Sequence, residues 1–139
     1  MRPRFDGYYL SDRQRTEGWH AGVCMKSEYY RYLKLFGDGV WLWKDHARPD
    51  FNFPAFLAGV TEQALKEGLN GRHPYDHEFN FIHQTGRFSL AEDQIVLIFR
   101  HDSVVMQELK WELQMKPRNR LVGKGGEVFV FHRMPEFDT

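Results

Sequence analysis

The chain has 139 residues, of which 42% are hydrophobic, and its 19 Lys and Arg residues balance its 19 Asp and Glu residues. This length fits one domain over residues 1–139, and the zero formal net charge argues against nucleic-acid binding and against binding to anionic membranes. The single cysteine, Cys24, excludes an internal disulfide and fits a reducing compartment. Because the sequence has neither a signal-like N-terminus nor an apolar run of about 18 residues, we expect a cytoplasmic protein without a membrane partner.

The first predicted elements are a short strand, a polar loop and a hairpin. Residues 5–10 predict the strand, and the polar residues 11–18 predict the loop. Residues 28–44 predict the hairpin, because two β-prone runs flank Gly37-Asp38-Gly39. The turn is either Gly37-Asp38 or Asp38-Gly39, and in both cases odd residues of the first strand face even residues of the second.

This pairing defines two faces of the hairpin. We expect the more aliphatic face to point inward; it carries Tyr29, Arg31, Leu33, Leu35, Val40, Leu42 and Lys44. The other face then forms an outward aromatic patch of Tyr30, Tyr32, Lys34, Phe36, Trp41 and Trp43. Such a patch needs a cover, which either the helix described next or a second copy of the chain would provide. In the reverse orientation the aromatic rings line the interior, and Lys34 replaces Arg31 as its polar group.

The middle of the chain changes to helical spacing. Apolar residues recur with that spacing after Pro54 and before Gly68, which predicts one amphipathic helix over residues 54–67. Strand patterns then resume with a second hairpin over residues 86–100.

The last third of the chain contains the most regular strand. Residues 108–115 alternate apolar and polar side chains, with Leu109, Trp111, Leu113 and Met115 on the apolar side. Short strands follow at residues 120–122 and 127–133. Roughly seven to nine strands joined mostly by short turns predict a meander that closes into a barrel, because closure removes exposed edges.

Three pieces of the sequence, taken in order, resemble the lipocalin-like (calycin) barrel that follows the F-box in some F-box proteins. They are Asp6-Gly7-Tyr8-Tyr9, the run from Tyr29 to Gly39, and Gly86-Arg87-Phe88-Ser89-Leu90. The resemblance covers most of the chain and implies a mainly β fold, an antiparallel up-and-down lipocalin-like β-barrel of about eight strands, here with one inserted helix. The chain has no room for an F-box, so the adaptor-binding role of those proteins is not implied.

The inward face of the first hairpin places one cation among aliphatic side chains. A buried guanidinium at Arg31 needs a partner, which is an internal carboxylate, water at the barrel mouth, or the carboxylate or phosphate of a ligand. The sequence therefore predicts a ligand site lined by Arg31, Leu33, Leu35, Val40, Leu42, Leu109, Trp111 and Leu113.

Two other clusters have reactive residue types without the required spacing. His73-Pro74-Tyr75-Asp76-His77-Glu78 has zinc-ligand types, but Pro74 prevents the regular helix that would align its histidines. His101-Asp102-Ser103 has the types of a hydrolase triad, but neighbouring residues on a strand point in different directions. We therefore expect no catalytic residues, no metal and no cofactor.

Two functions from different classes fit these patterns. The first is a non-catalytic barrel that binds a small apolar or anionic molecule. The alternative is a protein-interaction or scaffold barrel, including a homodimer, whose interior is filled by its own side chains and which acts through its exposed aromatic surface. The volume left inside the barrel distinguishes them.

Overall fold

The computed structural model describes residues 2–60, residue 65, residues 83–101 and residues 107–134. The strands in this part of the chain are β1 (Gly7–Ser11), β2 (Gln14–His20), β3 (Val23–Leu35), β4 (Val40–His46), β5 (His83–Ala91), β6 (Gln94–His101), β7 (Gln107–Lys116), β8 (Arg120–Gly123) and β9 (Val128–Arg133). One helix, α1 (Phe53–Ala58), is described between β4 and β5. No helix among the described residues is long and apolar enough to cross a membrane.

The strands form a closed antiparallel barrel. Each strand from β3 to β8 pairs with the next along the chain, and β1 pairs with β9 on one side and β3 on the other. Closure between β1 and β3 joins Tyr9 to Leu33 and Leu10 to Tyr32. These pairings confirm the predicted mainly β fold, an antiparallel barrel of eight strands with one short helix.

The strand β2 lies outside the barrel, in a part of the chain where the sequence predicted a loop. The loop predicted over residues 11–18 is wrong, because β2 pairs with the first half of β3, from Gln14 opposite Tyr29 to His20 opposite Val23. Ala21 and Gly22 join the two strands, both with positive φ (51° and 79°), as a tight hairpin turn requires. We call this two-stranded extension the ribbon. Its described residues up to Cys24 are largely exposed on both faces, so the sequence lacks the apolar alternation that marks a strand.

The turn between β3 and β4 has three residues, Gly37, Asp38 and Gly39, instead of the expected two. The amide of Phe36 donates to the carbonyl oxygen of Val40 (2.8 Å), and the amide of Gly39 donates to that of Phe36 (3.0 Å). Gly39 has φ 91°, the left-handed conformation that ends a three-residue hairpin loop. Odd residues therefore face odd residues, with Leu33 opposite Trp43 and Leu35 opposite Trp41.

This register shows that the face predicted to point inward is right for β3 and wrong for β4. Leu33 and Leu35 point into the barrel as predicted, and they pack there with Trp41 and Trp43. The prediction that Val40, Leu42 and Lys44 share that inward face is wrong, because one extra turn residue reverses every side chain of β4. The reverse orientation is right in placing the rings of Trp41 and Trp43 inside and wrong for β3, since Lys34 alternates with the inward residues Leu33 and Leu35.

The barrel interior is built from large apolar side chains that exclude water. Its buried members are Tyr9, Leu33, Leu35, Trp41, Trp43, Ile95, Leu97, Leu113, Met115, Leu121 and Phe129. Trp111 is partly buried against them, so the predicted inward side of β7 is confirmed for Trp111, Leu113 and Met115. The side chain of Leu109 lies outside the described part of the structure.

Helix α1 covers the outer face of β3 and β4. Tyr32, Leu42 and Phe53 are buried together there, and Tyr30, Phe56 and other apolar side chains pack around them. The helix begins at Phe53, one residue before the predicted start, and the Asn52 side chain caps it by accepting from the amide of Ala55 (3.1 Å). Most of the predicted continuation to residue 67 lies outside the described residues. The predicted cover is thus confirmed for Tyr30 and Tyr32, whereas Trp41 and Trp43 need none.

Two leucines on neighbouring strands test how tightly the barrel interior is packed. Leu97 is 0% exposed, whereas Leu90, which lies opposite Ile95 on the same inward face near the end of β5, is 50% exposed. We expect Leu97→Ala to lower the free energy of unfolding by about 2–5 kcal/mol through lost contacts and a cavity, and Leu90→Ala to lower it by less than about 1 kcal/mol. Urea denaturation measures both, and equal effects of the two substitutions would contradict the packed interior.

Two glycines of one turn test its length. Gly39 has φ 91°, whereas a Cβ at Gly37 would meet only the Phe5 ring at 3.8 Å. We expect Gly39→Ala to destabilise the fold by about 1–2 kcal/mol, because alanine disfavours the left-handed conformation. Gly37→Ala is the matched control and should be close to neutral. A larger loss at Gly37 than at Gly39 in thermal unfolding would indicate a different turn.

Candidate functional site

A cleft of about 540 Å³ opens where the ribbon joins the barrel. We call it the mouth cleft; Thr16, Ser27, Glu28, Tyr29, Arg31, Asp45 and Ala47 line it. Strands β2 and β3 supply its wall on one side, and the end of β4 supplies Asp45 on the other. Small-molecule sites commonly enclose about 300–1,000 Å³, so the cleft has the right size for one.

An ion pair between Arg31 and Asp45 forms the polar centre of the cleft. The two residues are opposite each other on β3 and β4. Arg31 Nε lies 2.6 Å from Asp45 Oδ1, and Nη2 lies 2.8 Å from Oδ2, which is a planar two-pronged contact. Only 18% of the Arg31 side chain and 23% of the Asp45 side chain are exposed. Of the three partners that the sequence left open for Arg31, the structure therefore shows the internal carboxylate.

Aromatic rings frame the Arg31 guanidinium. Its central carbon lies 4.1 Å from the ring centre of Trp43, 4.8 Å from that of Trp111 and 5.5 Å from that of Tyr29. The ring centres of Trp43 and Trp111 are 4.6 Å apart, edge to face. Contacts of a cation with ring faces are attractive and partly replace the lost hydration of the guanidinium.

Arg31 remains charged in this environment. Burial by itself lowers the pKa of Arg31, but the hydrogen bonds and charge of Asp45 outweigh it, so the pKa lies above its ordinary value. The side-chain oxygen of Ser11 accepts from the Arg31 backbone amide (2.8 Å) and fixes the strand at this point. The Nη1 atom donates to no acceptor among the described residues, so it can donate to water or to a ligand in the cleft.

A second carboxylate, that of Glu127, lies within electrostatic reach of the cleft. Its charge contributes to raising the pKa of Arg31, and it also contributes to raising that of Tyr29, where burial is the main cause. The Oε2 atom of Glu127 is buried and has no hydrogen-bond donor within the described residues. A Cβ at Gly123 would lie 1.9 Å from this oxygen, so any larger residue there would displace the flexible end of the Glu127 side chain. An unsatisfied carboxylate oxygen is costly, and any donor that reaches it would relieve that cost.

Neither Asp45 nor Glu127 was among the site residues predicted from the sequence, and the same holds for Glu28, the other carboxylate that lines the cleft. Asp45 follows directly from the corrected register, since it alternates with Trp43 on the inward face of β4. Glu127 comes directly after Gly123-Lys124-Gly125-Gly126, and this density of glycines beside an acid was the available signal.

The structure separates the residues that the sequence predicted to form one ligand site. Arg31 lines the mouth cleft, with Trp111 beside it. Leu33, Leu35 and Leu113 are completely buried in the packed interior. Leu42 lies under helix α1, and Val40 alternates with the inward-facing Trp41 on β4. These side chains therefore do not line a common cavity, and the side chain of Leu109 lies outside the described residues.

Two lysines are buried on the outer face of the barrel. Lys34, the alternative polar group, donates from Nζ to the carbonyl oxygens of Phe5 and Leu35, the latter at 3.1 Å. Burial lowers the pKa of Lys34 to about 8. Lys44 lies with Nζ 5.3 Å from the ring centre of Phe56 on helix α1. Neither lysine is among the residues that line the mouth cleft.

The described residues contain no group of three His, Cys, Asp or Glu side chains that could hold a metal ion. The cluster from His73 to Glu78 lies outside the described residues, as do Asp102 and Ser103 and the side chain of His101.

Lys34 makes stability depend on pH. Its pKa of about 8 in the folded chain is below the ordinary value of 10.5, so above pH 8 the folded chain has released a proton that the unfolded chain still holds. Stability therefore rises with pH in this window, by about 1–2 kcal/mol up to pH about 9.5, below the range where tyrosines ionise. We expect Lys34→Met to remove the rise in urea denaturation at stepped pH, and Lys110→Met, at an exposed lysine, to keep it. A rise that survives Lys34→Met would assign it to another group.

Comparisons of the chain with protein families, with curated proteins and with solved structures found no match. The barrel and the residues at its mouth are therefore the basis for the proposed function.

Proposed function

We propose that this chain is a non-catalytic, lipocalin-like barrel that binds a small molecule in the mouth cleft. The observation that carries the proposal is a cleft of about 540 Å³ with a preorganised Arg31–Asp45 pair in its wall. Preorganisation favours binding, because the protein loses little freedom when the ligand arrives.

Packing of the interior supports a ligand at the mouth instead of deep within the barrel. The aliphatic residues expected to line a deep site, Leu33, Leu35 and Leu113, are all 0% exposed and pack against one another and against tryptophans. The Trp41 and Trp43 ring centres are 4.6 Å apart, which leaves no space between the rings. An eight-stranded barrel is just wide enough for such side chains, so the filled interior serves as the floor of the cleft.

The charges favour a neutral polar ligand over the anionic one expected from the sequence. Both carboxylates that line the cleft already have cationic partners: Asp45 pairs with Arg31, and Glu28 lies 3.3 Å from Arg15 and 3.6 Å from Arg13. A ligand carboxylate would have to compete with Glu28 and Asp45 for these cations, whereas a carboxamide could accept from Nη1 of Arg31 and donate to Asp45. Tyr29 and Ala47 offer apolar contact to the rest of such a molecule.

A second candidate function is binding of another protein or of a second copy through the ribbon. Strand β2 is at the end of the described strand order, and Trp19 on it is 77% exposed. Exposed tryptophans are frequent anchors of interfaces, and an edge strand can pair with a strand of a partner. The filled interior favours this candidate too, because it does not require a cavity.

The first candidate function is tested by removing the ion pair of the cleft and, as a control, an exposed ion pair elsewhere. Arg31→Met with Asp45→Leu removes the pair in the cleft, and both charges are removed so that neither is left unpaired. Arg48→Met with Asp50→Leu is the control; this exposed pair makes the same two-pronged contact, at 3.0 and 2.9 Å. We expect a carboxamide identified by a thermal-shift screen to bind the wild type and the control about 10-fold or more tighter than the cleft variant in calorimetry.

Two other results would argue against a ligand in the mouth cleft. Equal binding to the cleft variant and the wild type would place the ligand elsewhere and overturn the proposal. A wild-type chain that binds no neutral or charged compound of the screen, and that sediments as a dimer, would favour the ribbon candidate.

A further inference from the structure

A second cleft, of about 250 Å³, lies at the end of the barrel away from the mouth. Successive strands alternate in direction, so the turn of residues 117–119 between β7 and β8 lies at the same end as the β3–β4 turn. This turn and the N-terminal segment from Arg2 form the sides of the cleft. We call it the basic cleft.

Four cationic side chains line the basic cleft: Arg2, Lys116, Arg118 and Arg120. None of the described residues that line it is acidic. Arg120 Nε donates to the carbonyl oxygen of Pro117 (3.1 Å), which orients its guanidinium without neutralising it. Within the described residues none of these four cations takes part in an ion pair.

Two arginines at the mouth end of the molecule, by contrast, take part in ion pairs. Arg31 is paired with Asp45 and Arg48 with Asp50, each at less than 3 Å. A chain of zero formal net charge thus concentrates unpaired cations at one end. Four neighbouring positive charges repel one another, and an anion bound between them removes that repulsion.

The floor of the basic cleft is apolar except for one hydroxyl. Tyr9, Met115 and Leu121 line it and are at most 3% exposed. The hydroxyl oxygen of Tyr9 accepts from the backbone amide of Arg4 (2.9 Å), so its own proton is available to a ligand oxygen. The volume of about 250 Å³ is below the roughly 300–1,000 Å³ of drug-sized sites. It fits a tetrahedral anion with a short carbon chain.

We propose that the basic cleft binds a small phosphate monoester. The phosphate accepts hydrogen bonds from Arg118, Arg120 and Lys116, since guanidinium groups match phosphate oxygens in pairs and lysine adds a point charge. The carbon portion of the ligand contacts Met115 and Leu121 on the floor. The proposal is independent of the mouth cleft and of its ligand.

The test follows the backbone amides of Arg118 and Asn119 by NMR while inorganic phosphate or glycerol 3-phosphate is added at constant ionic strength. We expect saturable shifts with both and tighter binding of the ester, because it adds apolar contact. Lys116→Gln with Arg118→Gln should weaken binding by about 10-fold or more, the effect of losing charge-assisted hydrogen bonds. Arg87→Gln with Lys110→Gln removes the same charge from exposed strand positions and should leave binding unchanged.

Three outcomes would overturn the proposal. The first is the absence of saturable shifts with either compound. The second is equal weakening by both double variants, which would show a response to net charge alone. The third is binding confined to vesicles that contain phosphatidic acid, which would show recognition of a membrane surface instead of a soluble ester.

Discussion

The pairing of β3 with β4 is the constraint on which the rest of the molecule depends. One residue more in the turn at Gly37–Gly39 determines which side chains of β4 enter the barrel, because a shift by one residue exchanges the two faces of a strand. With Trp41 and Trp43 inside, the interior is filled by indole rings, and Leu42 is left for helix α1 to cover. Gly86 accommodates Trp41, since a Cβ there would lie 2.8 Å from the indole nitrogen.

The same register creates the mouth cleft. It places Asp45 opposite Arg31, so the guanidinium meets a carboxylate in the plane of the sheet and the Trp43 ring beside it. Had β4 been shifted by one residue, Lys44 would have entered the barrel next to Arg31, and two like charges would have been buried together. The core and the polar site are therefore consequences of one turn, and the site lies on rigid strands instead of on a loop.

The barrel and part of its lining could be predicted from the sequence because they depend on local alternation. The inward side of β7 follows from charged residues at every second position, and Leu33 and Leu35 follow from the alternation in β3. The face of β4 could not be predicted, since Gly37-Asp38-Gly39 permits turns of two or three residues, and the choice depends on which rings pack best. The strand β2 was missed because both of its faces meet water, and Glu127 was missed because its charge acts on Arg31 and Tyr29, which are far away along the chain.

Although the formal net charge is zero, the described charged groups at the two ends of the barrel differ: they are paired at one end and mostly unpaired at the other. At the mouth, the two carboxylates that line the cleft are both paired with arginines, Asp45 with Arg31 and Glu28 with Arg13 and Arg15. At the other end, cations gather without a described acidic partner, and Arg118 in the β7–β8 turn and Arg120 at the start of β8 line the same cleft. The packed interior separates the two regions, so each field acts locally because distance weakens it and the salt in the surrounding water screens it. A barrel filled by its own residues can in this way present two chemically different sites, one at each end.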